Sequence, residues 1–297
     1  MTTASASTRL PTADAGAARG LLARVRPLLR PGTLIPVLVL VVALAWAIAP
    51  GLFTPVSPTA TTAPALEAPS AAHLFGTDST GRDLFSRVVH GAGHSITAAL
   101  VAVAVGLVVG TVIGVVAGTI GTIGGRIGPL IEDVLMRLVD VLLAIPGLLL
   151  SLSIVILLGF GTTNAAIAVG VTSIATFARL ARSQVMSVRT TEYVEAAYGS
   201  GGSFPSVVWR HVLPNSTTAV IALAALQLGS AILQISTLGF LGYGTPPPTP
   251  EWGLLISEGR DYVATAWWLT VLPGLVVAAV VLSTNRLSDV IRKGDAA

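Results

Sequence analysis

Apolar residues dominate five stretches that hold no Asp, Glu, Lys or Arg, enclosed by Arg30 and Glu67, Arg87 and Arg126, Asp140 and Arg179, Arg210 and Glu251, and Asp261 and Arg286. Each is long enough for a membrane span of about 20 residues. Within them, apolar runs bounded by Pro, Gly or charge predict helices near Leu34–Pro50, Ile96–Ile120, Val134–Gly159, Ala165–Ala181, Thr217–Leu241 and Ala264–Thr284. The third and fourth share one charge-free stretch, which Gly159-Phe160-Gly161-Thr162-Thr163-Asn164 divides. The expectation is an all-α, polytopic membrane protein with six transmembrane helices.

This pattern sets the boundaries. A mobile cytoplasmic tail covers 1–32, the first transmembrane helix 33–51, an extracytoplasmic loop 52–95, the membrane core 96–285 and a cytoplasmic tail 286–297. Five arginines precede an apolar run ending in Ala47-Ile48-Ala49, which also fits a cleaved signal peptide. The tail is long and cleavage would leave five spans, so an uncleaved first helix fits better. The second helix carries Gly106, Gly110, Gly114 and Gly118, a stripe on one face that suits close helix packing or, less well, a pore lining.

Composition agrees with a lipid solvent. The 297 residues are 53% hydrophobic and 10% charged, with a mean hydropathy of +0.82, whereas soluble domains carry roughly 25% charged residues. With no cysteine, thiolate metal sites and cysteine nucleophiles are excluded. The net charge of +3 is too small and scattered for a nucleic-acid surface. If the N terminus is cytoplasmic, that side receives 14 of the 17 basic residues and the other side only Arg82, Arg87 and Arg260. That asymmetry, with an even number of spans, places both termini in the cytoplasm. Trp252, Tyr262, Trp267 and Trp268 cluster at the outer end of the last helix, where amphipathic rings favour the interface.

The long cytoplasmic loop at 192–215 carries the most specific pattern. It contains Glu192, Tyr193, Glu195, Ala196 and Ala197, then Gly201, His211, Leu213 and Pro214. Gly201 permits a tight turn, and Pro214 can start a helix without an amide hydrogen. Glu195-Ala196-Ala197, Gly201 and Leu213-Pro214 at this spacing resemble the EAA loop of ABC importer permeases, with His211 where the broad pattern has an aliphatic residue. His73-Leu74-Phe75-Gly76-Thr77-Asp78 with Gly81-Arg82-Asp83, Leu135-Met136-Arg137-Leu138-Val139-Asp140 with Pro146, and Pro247-Pro248-Thr249-Pro250-Glu251-Trp252-Gly253 with Gly259-Arg260-Asp261 resemble the second permease subunit of its dipeptide, oligopeptide and nickel subfamily.

The resemblance implies a type I ABC importer permease fold and a bacterial cytoplasmic (inner) membrane location. It further implies peptide import by alternating access, the coupling loop docking on an ATPase subunit. The implied partners are a homologous second permease in a heterodimer, ABC ATPase subunits and an extracytoplasmic substrate-binding protein. ATP and Mg2+ are expected on the ATPase and no cofactor in this chain: Lys293, the only lysine, is followed by Gly294, which does not make a phosphate-binding loop.

Several polar sets remain open between structural and functional roles. Asp133, Arg137 and Asp140 share a helix face and suit either a local salt bridge or coupling to a partner. Gln227, Ser230, Gln234 and Thr237 align on the fifth helix, where interhelical hydrogen bonding and a translocation path fit equally. Asp78, Arg82, Asp83, Glu251, Glu258, Arg260 and Asp261 are either mutually paired surface charge or contacts for the binding protein. His90 and His94, four apart, read as interfacial polar residues, with no His-Glu-x-x-His sequence. No catalytic set and no metal site emerge. A nickel or other small-solute importer of the same subfamily, a secondary transporter and a membrane enzyme are the rival readings.

Overall fold

The computed structural model describes residues 31–121 and 125–294. Of the expected tail over 1–32, residues 1–30 lie outside the described residues and Pro31 and Gly32 already belong to the first helix. Of the expected tail over 286–297, residues 286–294 continue the last helix and the final three lie outside the described residues. Besides two single 3-10 turns, Pro50–Leu52 and Arg260–Tyr262, nine longer helices follow in order among the described residues: α1 (Pro31–Ile48), α2 (Leu84–Ile120), α3 (Ile127–Ala144), α4 (Gly147–Leu158), α5 (Thr162–Arg189), α6 (Glu192–Gly199), α7 (Phe204–Phe240), α8 (Trp252–Gly259) and α9 (Trp268–Gly294). There is no β-strand among the described residues, only two isolated bridges in the loop before α2.

By length and composition, α2, α5, α7 and α9 can each cross a membrane, and α3 with α4 adds a fifth span if the bent pair is counted as one. The first helix is apolar over Thr33–Ile48 but shorter. The third expected helix is corrected here, because it is two helices meeting at 95°. Pro146 explains the break. Its ring pushes the preceding residue out of the helical region, and Ile145 is extended at ψ 128°. The division at Gly159-Phe160-Gly161 is where the chain turns, with Gly159 at φ +94° and Gly161 at φ +129°, values that favour glycine. The Asn164 amide holds the turn, donating to the carbonyls of Leu158 and Gly159 at 3.1 Å each.

The core is built on α2 and α5, which share the most extensive helix contact. The glycine stripe of α2 faces α5. A Cβ at Gly110 would lie 2.6 Å from the Phe177 Cβ, and one at Gly106 would lie 2.7 Å from the Ser173 Cβ. Gly170 of α5 returns the contact, since a Cβ there would lie 2.8 Å from the Val105 Cβ. The two backbones are therefore closer than side chains allow, the packing that small residues permit in lipid. Alanines extend this seam, with Ala99, Ala102, Ala165 and Ala168 fully buried. The α7 helix packs against α2, α5 and α9, and α1 closes the outside against α2 and α9.

Two helix starts differ from expectation. The second span begins at Leu84 rather than near Ile96, because the Asp83 carboxylate caps it by accepting from the Ser86 amide at 2.7 Å. The fifth begins at Phe204, with Pro205 in its first turn in place of Pro214. The chain passes Pro214 through a π-helical turn, Val208–Val212, where the Leu213 amide donates to the Val208 carbonyl. Widening the helix here accommodates a proline that lacks the amide hydrogen.

Candidate functional site

The loop at 192–215 forms a platform. The α6 helix is short and would not persist alone, so it is held by Val194, which is fully buried with Val185, Val207 and Val212 and packs near Val115 and Val188. This pins α6 to the ends of α2, α5 and α7. The opposite face carries Glu192, Tyr193, Glu195, Ala196 and Tyr198, all exposed. Gly201, at φ +87°, makes the turn out of the helix, and Gly202 lets Ala197 and Val207 close in behind it. Beside the platform lies a cleft of about 320 Å³ lined by Glu195, Tyr198, Phe204 and Val208. Arg189 ties the loop to α2 by donating to the Gly118 carbonyl at 2.8 Å. His211 and Leu213 are half-buried and Pro214 is exposed.

The expected ladder of Asp133, Arg137 and Asp140 does not close on itself. Asp140 pairs instead with Arg179 on α5. Asp133 and Arg137 are exposed, and neither joins an ion pair among the described residues. The second link is one that helical spacing does not reveal: Arg182 donates to Glu132 from Nε at 2.8 Å. The pairs run in opposite order along the two helices, as antiparallel packing requires. Glu132 also packs against Gly121, where a side chain would collide with its carboxylate. The two bridges therefore hold α3 against α5 at the turn leading out of α2.

Gln227, Ser230, Gln234 and Thr237 of α7 are half-buried. Thr237 spends its hydroxyl on the Leu233 carbonyl at 2.8 Å. Gln234 reaches the break between α3 and α4, its Oε1 lying 3.7 Å from where a side chain on Gly147 would begin. Irregular backbone at membrane depth is tolerated where protein or a water-filled cavity meets it. Gln234 places a polar amide beside this break, whose residues Ile145, Pro146 and Gly147 are exposed.

On the opposite end, the expected outer charges divide by burial. Asp78 is 4% exposed and accepts from the Thr80 amide and hydroxyl at 2.8 Å each and from Arg82 Nε at 2.6 Å. Arg87, fully buried, donates from Nη1 to Asp78 Oδ2 and Glu258 Oε2, both at 2.7 Å. One guanidinium thus joins the loop, α2 and α8. Burial works to raise the Asp78 carboxyl, yet the hydrogen bonds from Arg82 and Thr80 and the Arg87 charge outweigh it and hold it below the usual value. Asp83 pairs with His73 Nδ1 at 2.8 Å besides capping α2. Arg260 and Asp261 alone of the set stand well exposed, on the turn after α8.

Glu251 is buried at 1% exposure, in the segment between α7 and α9. Its carboxylate caps α8, accepting from the Gly253 amide at 3.0 Å and the Leu254 amide at 3.2 Å, while Gly239 and Gly244 crowd its other edge. Burial raises its pKa from 4.5 to about 7, against the hydrogen bonds of Gly253, Leu254 and Ser95 that lower it. Between these values the folded chain holds a proton that the unfolded chain has lost. Stability therefore falls as pH rises from about 4.5 to about 7, by up to about 3 kcal/mol. Thermal unfolding of the purified chain should show this decline in the wild type. The Glu251→Gln variant, still able to accept from Gly253, should flatten it; an equal decline in both would disprove the assignment.

Comparison with known proteins bears on both ends. A family model described as binding-protein-dependent transport system inner membrane component matches residues 110–294. The dipeptide transport system permease protein DppC of Alkalihalophilus pseudofirmus is 38% identical over 227 residues, 76% of this chain and 72% of that protein. The di/tripeptide transport system permease protein DppC of Pseudomonas aeruginosa is 40% identical over 227 residues, 76% of this chain and 73% of that one. The glutathione transport system permease protein GsiD of Shigella flexneri is 40% identical over 224 residues, 75% and 72% of the two chains. Among solved structures, a chain of the MetNI methionine ABC transporter in inward facing conformations superposes with a TM-score of 0.54 at 17% identity, covering 70% of this chain and 97% of its own. That likeness concerns the fold.

Proposed function

Because the chain belongs to the binding-protein-dependent transport system inner membrane component family, and is thus a membrane-embedded ABC importer permease, we propose that it moves di- or oligopeptides into the cytoplasm by alternating access. In this reading a second, homologous permease completes the translocation path, and ATPase subunits carry ATP and Mg2+. An extracytoplasmic binding protein delivers cargo. Both termini face the cytoplasm, as the arginine distribution favours.

The observation that carries the reading is α6: a short helix pinned by Val194 with an acidic and aromatic face left open. Closure of the ATPase pair on ATP pushes this face, and the pinned helix passes the displacement to α2, α5 and α7. The bridges from Glu132 to Arg182 and Asp140 to Arg179 make α3 move with α5. Gln227, Ser230 and Gln234 offer neutral donors and acceptors along α7, which suit peptide backbone groups without selecting side chains. Arg260 and Asp261 offer the binding protein an exposed contact. Peptide as cargo rests on the named substrates of the dipeptide and di/tripeptide relatives.

The test is ATP hydrolysis by the complex in proteoliposomes with its binding protein, titrated with peptides of varied length and, separately, with Ni2+. Stimulation by peptides is expected. Stimulation by Ni2+ alone would replace the peptide reading with that of a metal importer, and transport by this chain without ATP or an ATPase would end the ABC reading.

A further inference from the structure

A cavity of about 530 Å³ opens between the end of α1, the outer part of α2 and the first turn of α5. Ala47 and Pro50 form one wall, Thr162 and Thr163 another, and His90 and His94 line the face between them. The two histidines lie four apart on an unbroken helix, so their Cβ atoms are about 6 Å apart and both rings leave the same face. The His90 Nδ1 lies 2.9 Å from the Ser86 carbonyl oxygen. A carbonyl only accepts, so Nδ1 is the donor in this bond, and Nε2 is the nitrogen left to face an ion.

We propose that His90 and His94 form a binding site for one divalent transition-metal ion in this outer cavity. Two imidazoles a helical turn apart can reach a single ion at the usual distance of about 2.0–2.1 Å. The bond from Nδ1 to a backbone carbonyl is the support that metal-ligating histidines commonly have, fixing the tautomer and the ring. No third His, Cys, Asp or Glu completes a metal cluster among the described residues. The remaining positions on the ion are therefore filled by water or by a donor group of a solute in the cavity. Such a nitrogen pair favours Cu2+ over Zn2+ and Ni2+, and leaves Mg2+ and Ca2+ unbound. The site does not depend on which cargo the permease carries.

The experiment uses the full chain in its purified complex, with a tag that contains no histidine, and measures binding of Cu2+, Zn2+ and Ni2+ by equilibrium dialysis, alongside the Cu2+ electron paramagnetic resonance spectrum. One equivalent per permease chain is expected, with two nitrogen couplings. His94 is exposed, so His94→Ala should keep the fold and lower Cu2+ affinity at least tenfold, leaving one nitrogen coupling. The double variant with His90→Ala should lose the site, and His90→Asn with His94 intact should match the single loss. No stoichiometric Cu2+ on the wild type, or unchanged binding in folded His94→Ala, overturns the proposal; the second result would mean that the ion sits on other groups.

Discussion

Replacing Arg87 with methionine is expected to lower the stability of the permease by about 3–5 kcal/mol, the usual cost of breaking a buried ion pair. The side chain is fully buried, and its Nη1 alone serves both Asp78 and Glu258. Removing it leaves two carboxylates facing each other across a site closed by Leu255 and Leu269. Asp78 keeps Arg82 and the Thr80 groups at hydrogen-bond distance, whereas Glu258 keeps only its longer pair with Arg82 Nη2 at 3.8 Å, so Glu258 loses the larger share of its partners. Because both bonds come from one nitrogen, Arg87→Lys should recover part of the loss, where a bidentate site would not allow it. The measurement is thermal or denaturant unfolding of the purified wild type and both variants. Methionine within about 1 kcal/mol of wild type would show that the cluster does not hold the loop to α8.

That site shows what the sequence could and could not disclose. The stretches without charge were legible because no burial pattern competes with them, and α2, α5, α7 and α9 fall inside or overlap them. Asp78, Arg82 and Glu258 were legible as charges on outer loops, but their burial was not. It arises when the loop folds onto α2 and α8 across a separation of 171 residues between Arg87 and Glu258, which no local spacing records. The bridges of α3 show the same limit. Asp133, Arg137 and Asp140 share a face on one helix, yet pairing is decided by the neighbouring helix. Glu132, one position off that face, is the residue that meets Arg182.

The break at Pro146 carried a local signal, a proline within an apolar run, and a proline in lipid can either kink a helix or end it. Neighbouring helices decide between the two outcomes. The π-helical turn before Pro214 is the milder one, in which the helix widens and continues. At Pro146 the chain turns by 95°. Gln234 stands beside that turn, so the polar face on α7 and the broken helix, separate in the sequence, become one feature.

Glu195→Lys is expected to abolish uptake, by at least about 100-fold, while leaving insertion and folding intact. The two effects separate because α6 has two faces. Val194 supplies the anchoring and is untouched, whereas Glu195 is exposed and its side chain is absent from the ion pairs of the described residues. Glu192 and Glu195 occupy the first turn of α6, where negative charge suits the helix dipole by roughly 0.3–1 kcal/mol. A lysine there costs a similar amount, too little to unfold a helix held by four buried valines. A 100-fold loss corresponds to about 2.7 kcal/mol, which a reversed charge can supply only across a desolvated contact with a partner. The comparison is uptake, membrane content and co-purified ATPase for wild type, Glu195→Lys and Glu195→Gln. Glutamine should lose less, keeping the shape without repulsion. Val194→Asp should instead lower the amount of folded chain, because it places a charge in the valine cluster. Normal uptake by well-inserted Glu195→Lys would mean that α6 meets its partner through Tyr193 and Tyr198, or not at all.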